Sequence, residues 1–118
     1  MSKQIDTKKR IHYRIRKKVH GNAERPRVAV FRSARHFYMQ AINDVNGTTL
    51  VSVSTIGKEK ANVSGKPKKE AAAVLGELLG KKLKKQNIAA IVFDRGGFRY
   101  HGRVKAAAEG LRSAGIQF

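Results

Sequence analysis

The stretch RVAVFRSARHFYMQAIND, residues 27–44, decides how the rest of the chain is read. Two runs rich in β-branched and aromatic residues, RVAVFRS (27–33) and FYMQAIND (37–44), flank the short connection SARH. Such side chains suit a pleated, half-buried surface, so both runs predict strands. A third run, TTLVSVST (48–55), follows NDVNG, whose Asn-Gly pair supplies the backbone geometry of a hairpin turn. Three strands joined this closely predict an antiparallel meander. Along the second run, Phe37, Met39 and Ala41 share one face, and Tyr38 and Gln40 share the other. One of these faces belongs to a core and the other to a polar platform, and alternation alone does not say which.

Residues 56–66, IGKEKANVSGK, are polar and contain glycine, so they read as a loop. Pro67 then suits the first turn of a helix. In PKKEAAAVLGELLGKKLKKQN (67–87), Ala71, Leu75, Leu79 and Leu83 form one apolar stripe, joined by Val74 and Leu78. Lys81, Lys82, Lys84 and Lys85 complement the dipole at its end, and Asn87 suits the left-handed residue that stops a helix. IAAIVFD (88–94) is apolar nearly throughout, which predicts a strand covered on both faces. A last helix runs from about Gly102 to Ser113, with Gly115 just past its end. The order is βββαβα, and the single helical crossover predicts a fourth strand parallel to an earlier one. The fold class is α/β, a mixed sheet with helices packed on it.

Upstream, Pro26 biases Arg25 toward extended backbone and marks the start of the folded part. Residues 1–35 hold 12 Lys and Arg against 2 acids, a net of +10. The densest part, KKRIHYRIRKKVHG (8–21), has too little apolar material for a core element, although Ile11, Ile15 and Val19 recur at helical spacing. Residues 1–24 are therefore expected to be a basic arm, disordered when free and ordered on a partner that neutralises its charge. Residues 25–118 are expected to form a single domain.

The whole chain of 118 residues carries 26 Lys and Arg against 8 acids, a formal charge of +18. A field of that sign attracts polyanions and opposes self-association, so nucleic acid is the expected partner and the free protein is expected to be a monomer. There is no cysteine, which excludes disulfide frameworks and thiol chemistry. No apolar run reaches spanning length, so no membrane partner is expected.

Catalysis finds little support. Metal-assisted phosphodiester cleavage needs several carboxylates converging on a cation. Of the eight acids, only Asp44 and Asp94 fall at predicted strand ends. The histidines at 12, 20, 36 and 101 show no ligand spacing, and neither a Walker loop nor a nucleophile elbow occurs. No cofactor or small-molecule substrate is expected. A metal-dependent nuclease and a generic DNA-binding module are the competing classes; the latter lacks a recognition-helix pattern.

Binding is better supported. Arg95, Arg99 and Arg103 recur at every fourth position, interleaved with Phe98, Tyr100 and His101. Arginine clamps phosphate bidentately, and aromatic rings stack on unpaired bases or else cover the core. Gly96 and Gly97 let backbone N–H groups approach a phosphate, and the helix opening near Gly102 offers its N-terminus. Asp94 reads better as a residue that ties this turn, through an arginine. Arg32, Ser33, Arg35 and His36 form a second cluster at the first strand connection.

ERPRVAVFRSARHFYMQAIND together with FDRGGFRYHGRVKAAAEGLRSAGIQF closely resembles the bacterial large-subunit ribosomal protein L18 family, from the basic arm to Phe118. The resemblance implies a three-layer fold of the ribonuclease H-like architectural type without catalysis. It implies binding to 5S rRNA, contact with 23S rRNA and with neighbouring 5S-binding ribosomal proteins, and a place in the central protuberance of the cytoplasmic large subunit. Carried over by position, the arm residues Arg10, His12, Arg14, Arg16, Lys17 and Lys18 are expected to contact rRNA. So are Arg25, Arg27, Arg32, Ser33, His36 and Tyr38, and, at the C-terminal turn, Arg95, Gly96, Gly97, Tyr100, His101 and Arg103.

Overall fold

The computed structural model describes residues 21–57 and 60–118, with Lys60 and Ala61 given by backbone alone. The expected meander forms from β1 (Arg27–Arg32), β2 (Phe37–Asn43) and β3 (Thr48–Ser54). β1 and β2 pair antiparallel from Arg27 opposite Ile42 to Arg32 opposite Phe37. In the β2–β3 pair, Ala41 faces Val51 but Ile42 faces Thr49, so Leu50 is an extra residue that makes a bulge. The first turn closes on itself: Ser33 N–H donates to His36 O at 2.9 Å, and His36 N–H donates to Ser33 Oγ at 3.1 Å. In the second, Thr48 N–H donates to Asn46 Oδ1 at 3.2 Å while Gly47 takes φ +70°.

β4 (Val92–Asp94) lies parallel to β1, completing the sheet order β3-β2-β1-β4. It is shorter than IAAIVFD predicts. The preceding residues turn instead to the chain end, where Ile91 N–H donates to Gln117 O and Gln117 N–H donates to Ala89 O. Val92 and Phe93 are half-buried, so this strand is not covered on both faces.

The segment expected to be a loop holds one helical turn, α1 (Lys60–Val63). α2 (Lys68–Lys85) and α3 (Gly102–Ser113) supply the long helices. Pro67 stands one residue before α2, as its cap, and accepts the Ala71 N–H. Both helices stop in the same way. Asn87 N–H donates to Lys84 O and Ile88 N–H to Leu83 O, with Asn87 at φ 62°; Gly115 and Ile116 repeat the pattern after α3 with Gly115 at φ 92°.

Ala71, Leu75, Leu79 and Leu83 are buried as their spacing predicts, in one apolar cluster with Val28, Val30, Phe37, Met39, Ala41, Val51 and Val53. A second line of small residues on α2 meets α3. A Cβ on Gly76 would lie 2.2 Å from Ala107 O, and one on Gly110 would lie 2.2 Å from Ala73 O. The two helices therefore touch backbone to backbone, which explains glycine in helix interiors despite a propensity cost of about 1 kcal/mol each. Both helices cover the same face of the sheet. The opposite face carries Phe31, Tyr38, Gln40 and Ser52, so the described residues account for two layers of the expected mixed-sheet fold. Among the described residues no helix is long and apolar enough to cross a membrane.

Candidate nucleic-acid interface

Because β1 and β4 run parallel, the segments that leave their C-terminal ends emerge on the same side of the sheet. Arg32, Ser33, Arg35 and His36 follow β1, and residues 95–103 follow β4. The two clusters, separate in sequence, meet there. Arg103 Nη2 donates to Ser33 O at 3.0 Å, and the Arg32 guanidinium lies 4.9 Å from the centre of the Phe98 ring. Phe98 itself is buried, so it serves the core and carries Arg32 on its outer surface. Burial, then the neighbouring charge of Arg32, pushes the Arg103 pKa below its ordinary value. Two like charges are thus held side by side at an exposed edge, an arrangement that an anion relieves.

His36 is half-buried, with Nδ1 within hydrogen-bonding distance of Thr55 Oγ1 at 3.1 Å. Exposed His101 stands just before α3, whose N-terminus has no side-chain cap. Tyr38 lies on the open face of the sheet, edge-on to Phe31 at 6.5 Å. Phe31 is 70% exposed and was not among the expected contacts. Its place on Tyr38's face follows from strand pairing, which alternation within one strand does not reveal. Tyr100 turns away toward Phe93 and accepts a hydrogen bond from Arg112 Nη1 at 3.2 Å. Arg95 and Gly97 are half-buried in the turn after β4.

Two of the expected contact residues are engaged within the protein. Arg27 is only 5% exposed, and all of its guanidinium nitrogens are engaged: Nε and Nη2 donate to Asp44 at 2.9 and 3.0 Å, and Nη1 donates to Asp94 at 2.7 Å. Hydrogen bonding to Asp44, supported by Asp94, raises the Arg27 pKa against the opposing effect of burial. It is a structural cation, not a surface one. Gly96 N–H donates to Asp94 Oδ1 at 2.8 Å, so the backbone group expected to meet phosphate is already taken. Asp94 ties the turn through an arginine, as read from the sequence.

The same cluster bears on the nuclease reading. Asp44 and Asp94 do approach one another, but a guanidinium sits between them where a catalytic cation would be needed. Among the described residues no group of three or more histidine or acidic side chains is placed to hold a metal ion.

Arg25 stands apart from these groups. It precedes β1, roughly 20 Å from Arg32 along a six-residue strand, and its Nε donates to Ile91 O at 3.3 Å. Gly21, counted with the arm from the sequence, is tied to the residue just after β2, where its N–H donates to Asp44 Oδ2 at 2.8 Å. Arg10, His12, Arg14, Arg16, Lys17 and Lys18 lie outside the described residues.

Comparison with known proteins gives the chain its family. The family described as ribosomal L18 of archaea, bacteria, mitochondria and chloroplast matches residues 1–118. The large ribosomal subunit proteins uL18 of Bacillus cereus strains G9842 and B4264 are each 53% identical over 112 residues, covering 95% of this chain and 92% of theirs. The uL18 protein of Bacillus thuringiensis subsp. konkukian strain 97-27 matches to the same extent, 53% over 112 residues. On a match that spans the chain from end to end, this protein belongs to the ribosomal L18 family.

Proposed function

We propose that the chain is a structural protein of the large ribosomal subunit that binds 5S rRNA and helps fasten it to 23S rRNA in the central protuberance. The observation that carries this reading is the convergence of Arg32, Ser33, Arg35, His36 and Arg103 at one end of the sheet, on a chain of net charge +18. Cations clustered at a sheet end position a phosphate backbone, while exposed Phe31 and half-buried Tyr38 offer ring faces and edges to unpaired bases. The basic residues 1–24 extend the grip as an arm, and residues 25–118 act as the folded RNA-binding domain. Neighbouring 5S-binding ribosomal proteins are its partners in the cytoplasmic particle, and it works without catalysis, cofactor or membrane.

The test is a binding competition at physiological salt between 5S rRNA and an unrelated RNA of equal length. Clear preference for 5S rRNA is the expected result, and equal affinity for both defeats the specific reading. Repeating it without residues 1–20 separates the arm's share from that of the folded part.

A further inference from the structure

The first turn of α2 carries charge of the wrong sign for its own stability. Lys66, Lys68 and Lys69 crowd the positive end of the helix dipole, and only Glu70 opposes them. Each such cation is unfavourable at that end of a helix. The helix cap is Pro67, which offers no side-chain hydrogen bond. Beside this turn lies a recess of about 180 Å³, bounded by Lys66, Lys68, Arg35 and Arg103, with Phe37, Val63 and Ala71 forming its apolar wall. Ser64 and Thr55 also line it, and no carboxylate lines it among the described residues. Four cations from three separate segments of the chain meet in one recess that helix stability alone would leave neutral or acidic.

We propose that this recess seats one backbone phosphate of the bound RNA, extending the interface from the sheet end onto the start of α2. The inference rests on the RNA-binding reading above but concerns residues outside its expected contacts, notably Lys66 and Lys68. An RNA phosphate and a free phosphate ion share the chemistry; the position of the recess, continuous with Arg103 and His36, favours RNA.

The experiment compares the wild type with Lys66→Gln/Lys68→Gln, and with Lys81→Gln/Lys85→Gln as a control of equal charge change at the far end of the helix. Affinity for 5S rRNA is measured across a salt series. Loss of one phosphate contact makes the log–log salt slope shallower by about 0.7–0.9 in the first variant. The control keeps the wild-type slope, and Lys66→Arg/Lys68→Arg restores it. Thermal unfolding of Lys66→Gln/Lys68→Gln occurs at or above the wild-type temperature, since unfavourable charge has been removed. An unchanged slope in the first variant, or an equal loss in the control, overturns the proposal. If wild-type protein shows no RNA binding at all, the broader reading fails instead. A titration with inorganic phosphate, followed by amide NMR, separates the sources. Shifts at residues 66–71 that vanish in the variant, combined with an unchanged RNA slope, mark a small-anion site and also overturn it.

Discussion

Arg27 Nη1 lies 2.7 Å from Asp94 Oδ2, joining residues 67 positions apart with the aspartate wholly out of water. This contact fastens β1 to β4 and, through Asp94 Oδ1 and Gly96, sets the turn that leads to the candidate interface. Removing one partner strands a buried charge. Arg27→Met is expected to destabilise the fold by about 3–5 kcal/mol in urea titration. The folded fraction should keep its RNA affinity, because Arg27 does not reach the surface; a selective loss of affinity without loss of stability would contradict that placement.

Arg103 and Arg32 occupy the opposite case, near the surface and without a carboxylate in the contacts described above. Arg103→Gln should weaken 5S rRNA binding and reduce the salt slope by about 0.7–0.9, the share of one phosphate. Unfolding should move little, since the hydrogen bond lost is exposed. Filter binding across a salt series, beside thermal melting, reads both effects.

Phe31 offers a cleaner separation of binding from stability. At 70% exposure it contributes little to the core, so Phe31→Ser should change stability by no more than about 0.5 kcal/mol. If a base stacks on this ring, the same change weakens RNA binding by about 1–3 kcal/mol. Equal affinity of wild type and variant would remove the open sheet face from the interface.

The α2–α3 crossing admits no side chain at Gly76 or Gly110. Gly76→Ala would force a methyl group to within 2.2 Å of a backbone carbonyl, with no flexible side chain to move aside. Despite the better helix propensity of alanine, a destabilisation of about 1–3 kcal/mol is expected in chemical denaturation. A stabilised variant would show that the helices separate easily.

Asn87 tests the helix stop. With φ at 62°, the residue sits where glycine is at least as comfortable. Asn87→Ala should cost about 1 kcal/mol and Asn87→Gly should be near neutral, as read from thermal unfolding.

Much of the fold was legible in local pattern. The meander, the α2 stripe from Ala71 to Leu83, the span of α3 and the Asn87 stop all follow from periodicity and turn chemistry acting over a few residues. The shortened β4 did not, because a continuous apolar run looks the same whether it pairs with β1 or turns toward Gln117. Nor did the buried line through Gly76, since glycine carries no hydrophobic signal of its own. For the site, composition identified a polyanion partner and named the arginines, but it could not sort them. Arg27 and Arg32 bound the same strand, yet one closes a buried ion pair and the other lies over Phe98 at the edge. The sequence by itself determined the meander, the two long helices and the charge. Tertiary structure decided which cations face outward, because the parallel placement of β4 beside β1 brings Asp94 to Arg27 and Arg103 to Ser33.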